Sequence, residues 1–145
     1  MARHLLPVLL VPAAGAVIGV WAEFADLNPP LLLAIAVPAI AVATVSAAHL
    51  TAAGARPARY LLMGGALGLL MFALSESTYL VIHLSRGGTF DSDFGDSRAV
   101  TALTLLGIHV AVGAVTGLGV GAAVAVVTAA VRAMGRRAPA HSRAA

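Results

Sequence analysis

Residues 60–84 read YLLMGGALGLLMFALSESTYLVIHL, and this stretch decides the architecture. It is longer than the roughly 20 residues that carry a helix across the hydrocarbon core of a bilayer. Its single acid, Glu76, stands inside the apolar run. Three more runs flank it, about Leu5 to Ala22, Leu31 to Leu50 and Val100 to Val131. Hydrophobic residues make up 60% of the chain and charged residues 10%, whereas roughly a quarter of an ordinary soluble domain is charged. A chain of 145 residues cannot hide that much apolar surface in one core, so lipid is the expected solvent for the excess.

Charge placement orients the thread. Arg3, Arg56, Arg59, Arg132, Arg136, Arg137 and Arg143 lie before the first run, between the second and third, and after the fourth. Glu23 and Asp26, then Asp91, Asp93 and Asp96 with Arg86 and Arg98, occupy the segments between. Because basic residues accumulate on the cytoplasmic side of membrane spans, both termini are expected in the cytoplasm. The expected fold is therefore all-α: a compact bundle of four transmembrane helices in a single integral membrane domain over residues 1–145, ending in a basic tail from 132 to 145. Its expected place is the cell membrane. Arg3, a short apolar core and Ala14-Gly15-Ala16 also fit a cleavable secretory signal. The uncleaved reading keeps the charge sorting without adjustment.

Boundaries have local causes. Asn28-Pro29-Pro30 offers a capping side chain and a proline suited to a first turn, while Asp96 and Ser97 are candidate caps for the fourth helix. That helix exceeds one bilayer crossing, so it should tilt or project beyond the headgroups. Pro7, Pro12 and Pro38 fall inside spans, where lipid-embedded helices tolerate them with local kinks.

Helices in lipid associate where small residues let backbones approach. Gly113, Gly117 and Gly121 recur at four-residue spacing in the fourth run with Gly119 close by, and the third run carries Gly64, Gly65 and Gly68. The pattern marks close contact, within the chain or with a second copy, without naming the partner. The two outside segments differ in length and no internal duplication is visible, so an inverted-repeat transporter has no support.

The chemical lead is Ser75-Glu76-Ser77-Thr78-Tyr79-Leu80-Val81-Ile82-His83. At helical spacing Glu76, Tyr79 and His83 share a face that Gly65, Leu69 and Phe72 continue. Glu76 lies about 12 Å from the end of its helix near Leu84, and His109 about 15 Å from an entry near Ala99, at 1.5 Å per residue. The two can therefore meet, and an acid with an imidazole can exchange a proton near neutral pH. An intramembrane acid usually faces a bundle interior or a water-filled cavity. A neutral or hydrogen-bonded Glu76 that only fixes helix register is the structural alternative.

Other leads are weaker. Imidazole ligates haem, but His83 and His109 sit at different depths and His49 at the opposite face. His4 and His141 lie in the termini. Residues 86–96 supply three carboxylates, yet they miss the EF-hand pattern. A solvated loop is the favoured reading; with Gly87, Gly88, Phe90 and Phe94 it can instead fold over the bundle mouth as a lid or partner contact. Trp21 and Tyr79 fit an aromatic belt. Arginines scattered at span ends do not form a nucleic-acid surface, and the absence of cysteine excludes thiolate sites, thiol catalysis and disulfides. No nucleophile, Walker, dinucleotide or metal-helix motif is present, so neither an enzyme, a cofactor nor a bound metal is expected. The leading expectation is a non-catalytic accessory or interaction subunit, with the bilayer and another membrane protein or its own copy as partners. The alternative is a proton-coupled transporter of a small molecule or ion, a homo-oligomer that uses Glu76. A haem-binding electron-transfer protein is a third.

Overall fold

The computed structural model describes residues 2–25, 29–50, 56–89 and 98–137. All its regular structure is helical: α1 (Ala2–Phe24), α2 (Pro29–Leu50), α3 (Pro57–Ser85) and α4 (Arg98–Arg137). Each is long and apolar enough to cross a membrane. The helices outrun the apolar runs at most ends, and α4 reaches 40 residues, because the flanking polar residues continue the same turn. Asn28, Asp96 and Ser97, the expected caps, lie outside the described residues.

Local chemistry sets the ends of α3. Arg56 is extended, with ψ 145°, and Pro57 follows in the first turn, where a missing N–H costs nothing. At the other end Gly87 adopts φ +79°. The Gly88 N–H donates to the His83 carbonyl at 2.9 Å, and the Gly87 N–H to that of Leu84 at 3.1 Å. This pair of bonds is a Schellman cap, which satisfies carbonyls left over at a helix end. Gly87 and Gly88 thus belong to the α3 terminus rather than to a lid; the remainder of that loop, from Phe90 to Ser97, lies outside the described residues.

Packing centres on α3. It contacts the other three helices, and α2 likewise touches α1, α3 and α4. Among the described residues α1 and α4 do not touch each other, so they form the far diagonal of the bundle. The core draws Val11 and Ile18 from α1, Ala36, Ile40 and Ala43 from α2, Leu67, Met71 and Phe72 from α3, and Val120 from α4. Thr44 is fully buried among them, and its hydroxyl donates to the Ile40 carbonyl at 2.7 Å. That internal bond removes the cost of a buried hydroxyl. A second small cluster, Ala48 and Tyr60 with Met63, Val124 and Ala125, closes the bundle at its Arg59 end. Outward faces carry exposed Leu6, Val17, Leu62, Val81, Leu103 and Val115, the pattern of helices whose solvent is apolar.

Small residues set the helix separations. A Cβ on Gly64 would collide with the Gly117 carbonyl, one on Gly68 with the Gly113 carbonyl, and one on Gly121 with the Tyr60 carbonyl. At Gly65 it would press on the Leu118 side chain at 3.0 Å. Gly119 faces open space and takes no part in this seam. A second seam was not expected: Gly15 lies against the Met71 backbone and Gly19 against that of Ser75, joining α1 to α3.

Candidate functional site

Glu76 projects from α3 into the bundle and is 7% exposed. His109 comes from α4 to place Nδ1 3.2 Å from Glu76 Oε2, while 41% of its own side chain remains exposed. The same Nδ1 lies 2.9 Å from the Leu105 carbonyl oxygen, one turn back on α4. A carbonyl only accepts, so Nδ1 carries a hydrogen, shared between the Leu105 carbonyl and the Glu76 carboxylate. The glycine seam is what makes this contact possible. Gly113, one turn beyond His109, lies on Gly68 and Phe72, and this close approach brings the imidazole within reach of α3.

The pair borders a cavity of about 450 Å³. Ile18, Ala22 and Ala25 of the α1 end, Leu32 of α2, Phe72, Ser75, Glu76 and Tyr79 of α3, and Leu105 and His109 of α4 line it. It fills the gap between the helices of the far diagonal, toward the Glu23 end. Its size falls in the range of roughly 300–1,000 Å³ seen for small-molecule sites, and so does its character, mostly apolar walls with a few convergent polar groups.

His83 departs from the expected grouping. Its Nδ1 lies 3.0 Å from Glu23 Oε2, and Arg86 Nη1 lies 3.7 Å from Glu23 Oε1. Glu23 occupies the last turn of α1 rather than a free loop, and that turn leads it across to the end of α3. The Arg86 guanidinium also sits over the Phe24 ring, 4.8 Å from its centroid. Tyr79 joins the two clusters. It stacks on the His83 ring with centroids 5.4 Å apart, and it lines the cavity beside Glu76. It is thus an inward residue and not a belt aromatic; Trp21 at 42% exposed keeps an outward position. Leu69, expected on the same face, is exposed instead, because the face that packs is set by the glycine seam on one side and α1 on the other.

The sequence signal for Glu23 was its position directly after an apolar run, four residues from Gly19. Its weight as a topology marker hid its reach toward α3.

Fold and site together define a small all-helical protein with four helices of membrane-crossing length and a buried acid–imidazole pair on a half-open chamber. Comparison with protein families, with curated proteins and with solved structures finds no match to this chain.

Proposed function

We propose that this chain is an integral membrane protein, threaded four times through the cell membrane with both termini cytoplasmic, and that it is a proton-coupled transporter of a small molecule. The arginine and acid sorting supports the threading. One observation carries the transport reading: the cavity reaches Glu76, the single acid buried within the third apolar run. In this reading Glu76 and His109 hold one exchangeable proton between them, and the chamber admits solute from the Glu23 end. A non-catalytic accessory subunit, the reading composition favours alone, needs no chamber at an intramembrane acid.

The natural absence of cysteine makes the test direct. Ser75→Cys, which leaves Glu76 in place, and Glu76→Cys are probed in intact membranes with small water-soluble thiol reagents from each side. Both should react from the outer side, while Leu62→Cys, on a lipid-facing surface, stays unlabelled. Unreactive Ser75→Cys and Glu76→Cys, beside a reactive Thr89→Cys, would return the protein to the accessory reading.

A further inference from the structure

We propose that the chamber takes a small organic ammonium cation, held by Glu76 against the aromatic wall of Phe72 and Tyr79, and that its entry displaces one proton from the Glu76–His109 pair. The inference rests on the transport reading and names its substrate class.

The lining decides the class by elimination. Its titratable side chains are Glu76, Tyr79 and His109, and it contains no arginine. Beyond the wall, α1 contributes Glu23, already engaged by His83 and Arg86, and α2 contributes only Leu32 to the lining. An anion would therefore meet a carboxylate with no guanidinium to offset it. A hard inorganic cation wants about six oxygen ligands, and no group of three or more metal-ligating side chains occurs among the described residues. An organic ammonium needs less: one counter-charge, an apolar enclosure and aromatic rings whose faces attract cations. The lining brings together Glu76, apolar walls and the rings of Phe72 and Tyr79.

The His109 ring supplies the exchange: Nδ1 keeps its hydrogen toward Leu105 and Glu76, and Nε2 carries the one that leaves. In this proposal the empty site holds the pair as imidazolium and carboxylate, whose charges balance. A cation arriving beside them would leave a net positive charge in a low-dielectric enclosure, an arrangement costly enough that a proton leaves instead. The Nε2–H proton passes to water in the chamber, and the neutral ring keeps its Nδ1–H on the Leu105 carbonyl. Neither Glu76 nor His109 is then left without a partner. One cation enters, one proton departs and the charge of the site is unchanged.

The test uses the purified full-length chain in micelles, with benzyltrimethylammonium as probe and neopentylbenzene, its uncharged isostere, as control. Calorimetry gives affinity, and a pH electrode in weakly buffered medium near neutrality counts protons. Saturable binding with about one proton released per cation is expected. Glu76→Gln should weaken cation binding at least 100-fold, and Tyr79→Leu about tenfold with the proton count unchanged. If Glu76→Gln does not fold, Tyr79→Leu decides. Equal binding by neopentylbenzene, undiminished binding by Glu76→Gln, or binding without proton release would overturn the proposal. No binding of the cation together with a reactive Ser75→Cys overturns the cation assignment alone, whereas an unreactive Ser75→Cys removes the transport reading as well.

Discussion

Three residues show how single positions govern the site. Gly87 ends α3 at φ +79°, a conformation that costs an L-residue about 1–2 kcal/mol. Gly87→Ala should therefore destabilise the protein by about that amount, read as a lowered midpoint in a denaturant titration in micelles. Glu23 joins α1 to His83 and Arg86. Because Arg86 is half-exposed, its share of that link is screened, and Glu23→Gln should cost about 1 kcal/mol. Amide hydrogen exchange localised to residues 82–88 would register it, and unchanged protection there would show that the ion pairs hold nothing. Glu76 and His109 were legible in the sequence because matching depths can be counted along two helices. The His83–Glu23 pair was not. It depends on α1 continuing past its apolar run to Phe24, and charge sorting treats such an acid as a loop marker. The same pair accounts for Arg86, one of two basic residues that break the sorting: it neutralises an acid of its own end.

At the scale of the helix, separation is set by backbone against backbone. Gly117 lies on the Gly64 carbonyl and Gly119, two residues on, faces open space, which makes a matched pair for experiment. Gly117→Val should destabilise by about 3 kcal/mol through overpacking, and Gly119→Val by less than about 0.5 kcal/mol. Equal effects in the same unfolding assay would mean that the α3–α4 contact is not a glycine seam. Gly19→Ala should cost about 2 kcal/mol, since its new methyl meets the Ser75 backbone. Four-residue spacing exposed the α4 glycines to inspection. Gly15 and Gly19 have the same spacing, yet Ala14-Gly15-Ala16 draws the eye as a cleavage pattern, so the α1 seam stays hidden until the helix is seen in contact with α3. The start of α2 was legible because Pro29 and Pro30 set its first turn; the glycine end of α3 was not, since Gly87 and Gly88 read as part of a loop. The extension of α4 to Arg137 was not, because arginine and alanine continue a helix as readily outside an apolar run as within it.

For the molecule as a whole, four apolar runs sufficed to show an all-helical chain, because backbone groups in lipid must bond within their own segment. Composition cannot show which helices touch, and the chamber depends on that: α2 and α3 meet along the near diagonal, while α1 and α4 stand apart. The depth of Glu76 carries an electrical consequence. On the proposed threading it lies about 12 Å along α3 from Leu84 by rise per residue, or about two-fifths of a hydrocarbon core of about 30 Å. A lone charge travelling that far through a potential of 100 mV gains or loses about 0.9 kcal/mol, taken from about 2.3 kcal/mol for the full crossing. A cation that enters as a proton leaves moves no net charge through the field. Half-saturation by benzyltrimethylammonium in proteoliposomes should therefore stay constant as the membrane is polarised, whereas binding without exchange would shift it about fivefold per 100 mV. On that threading, the carboxylate would act as a voltmeter for its own stoichiometry.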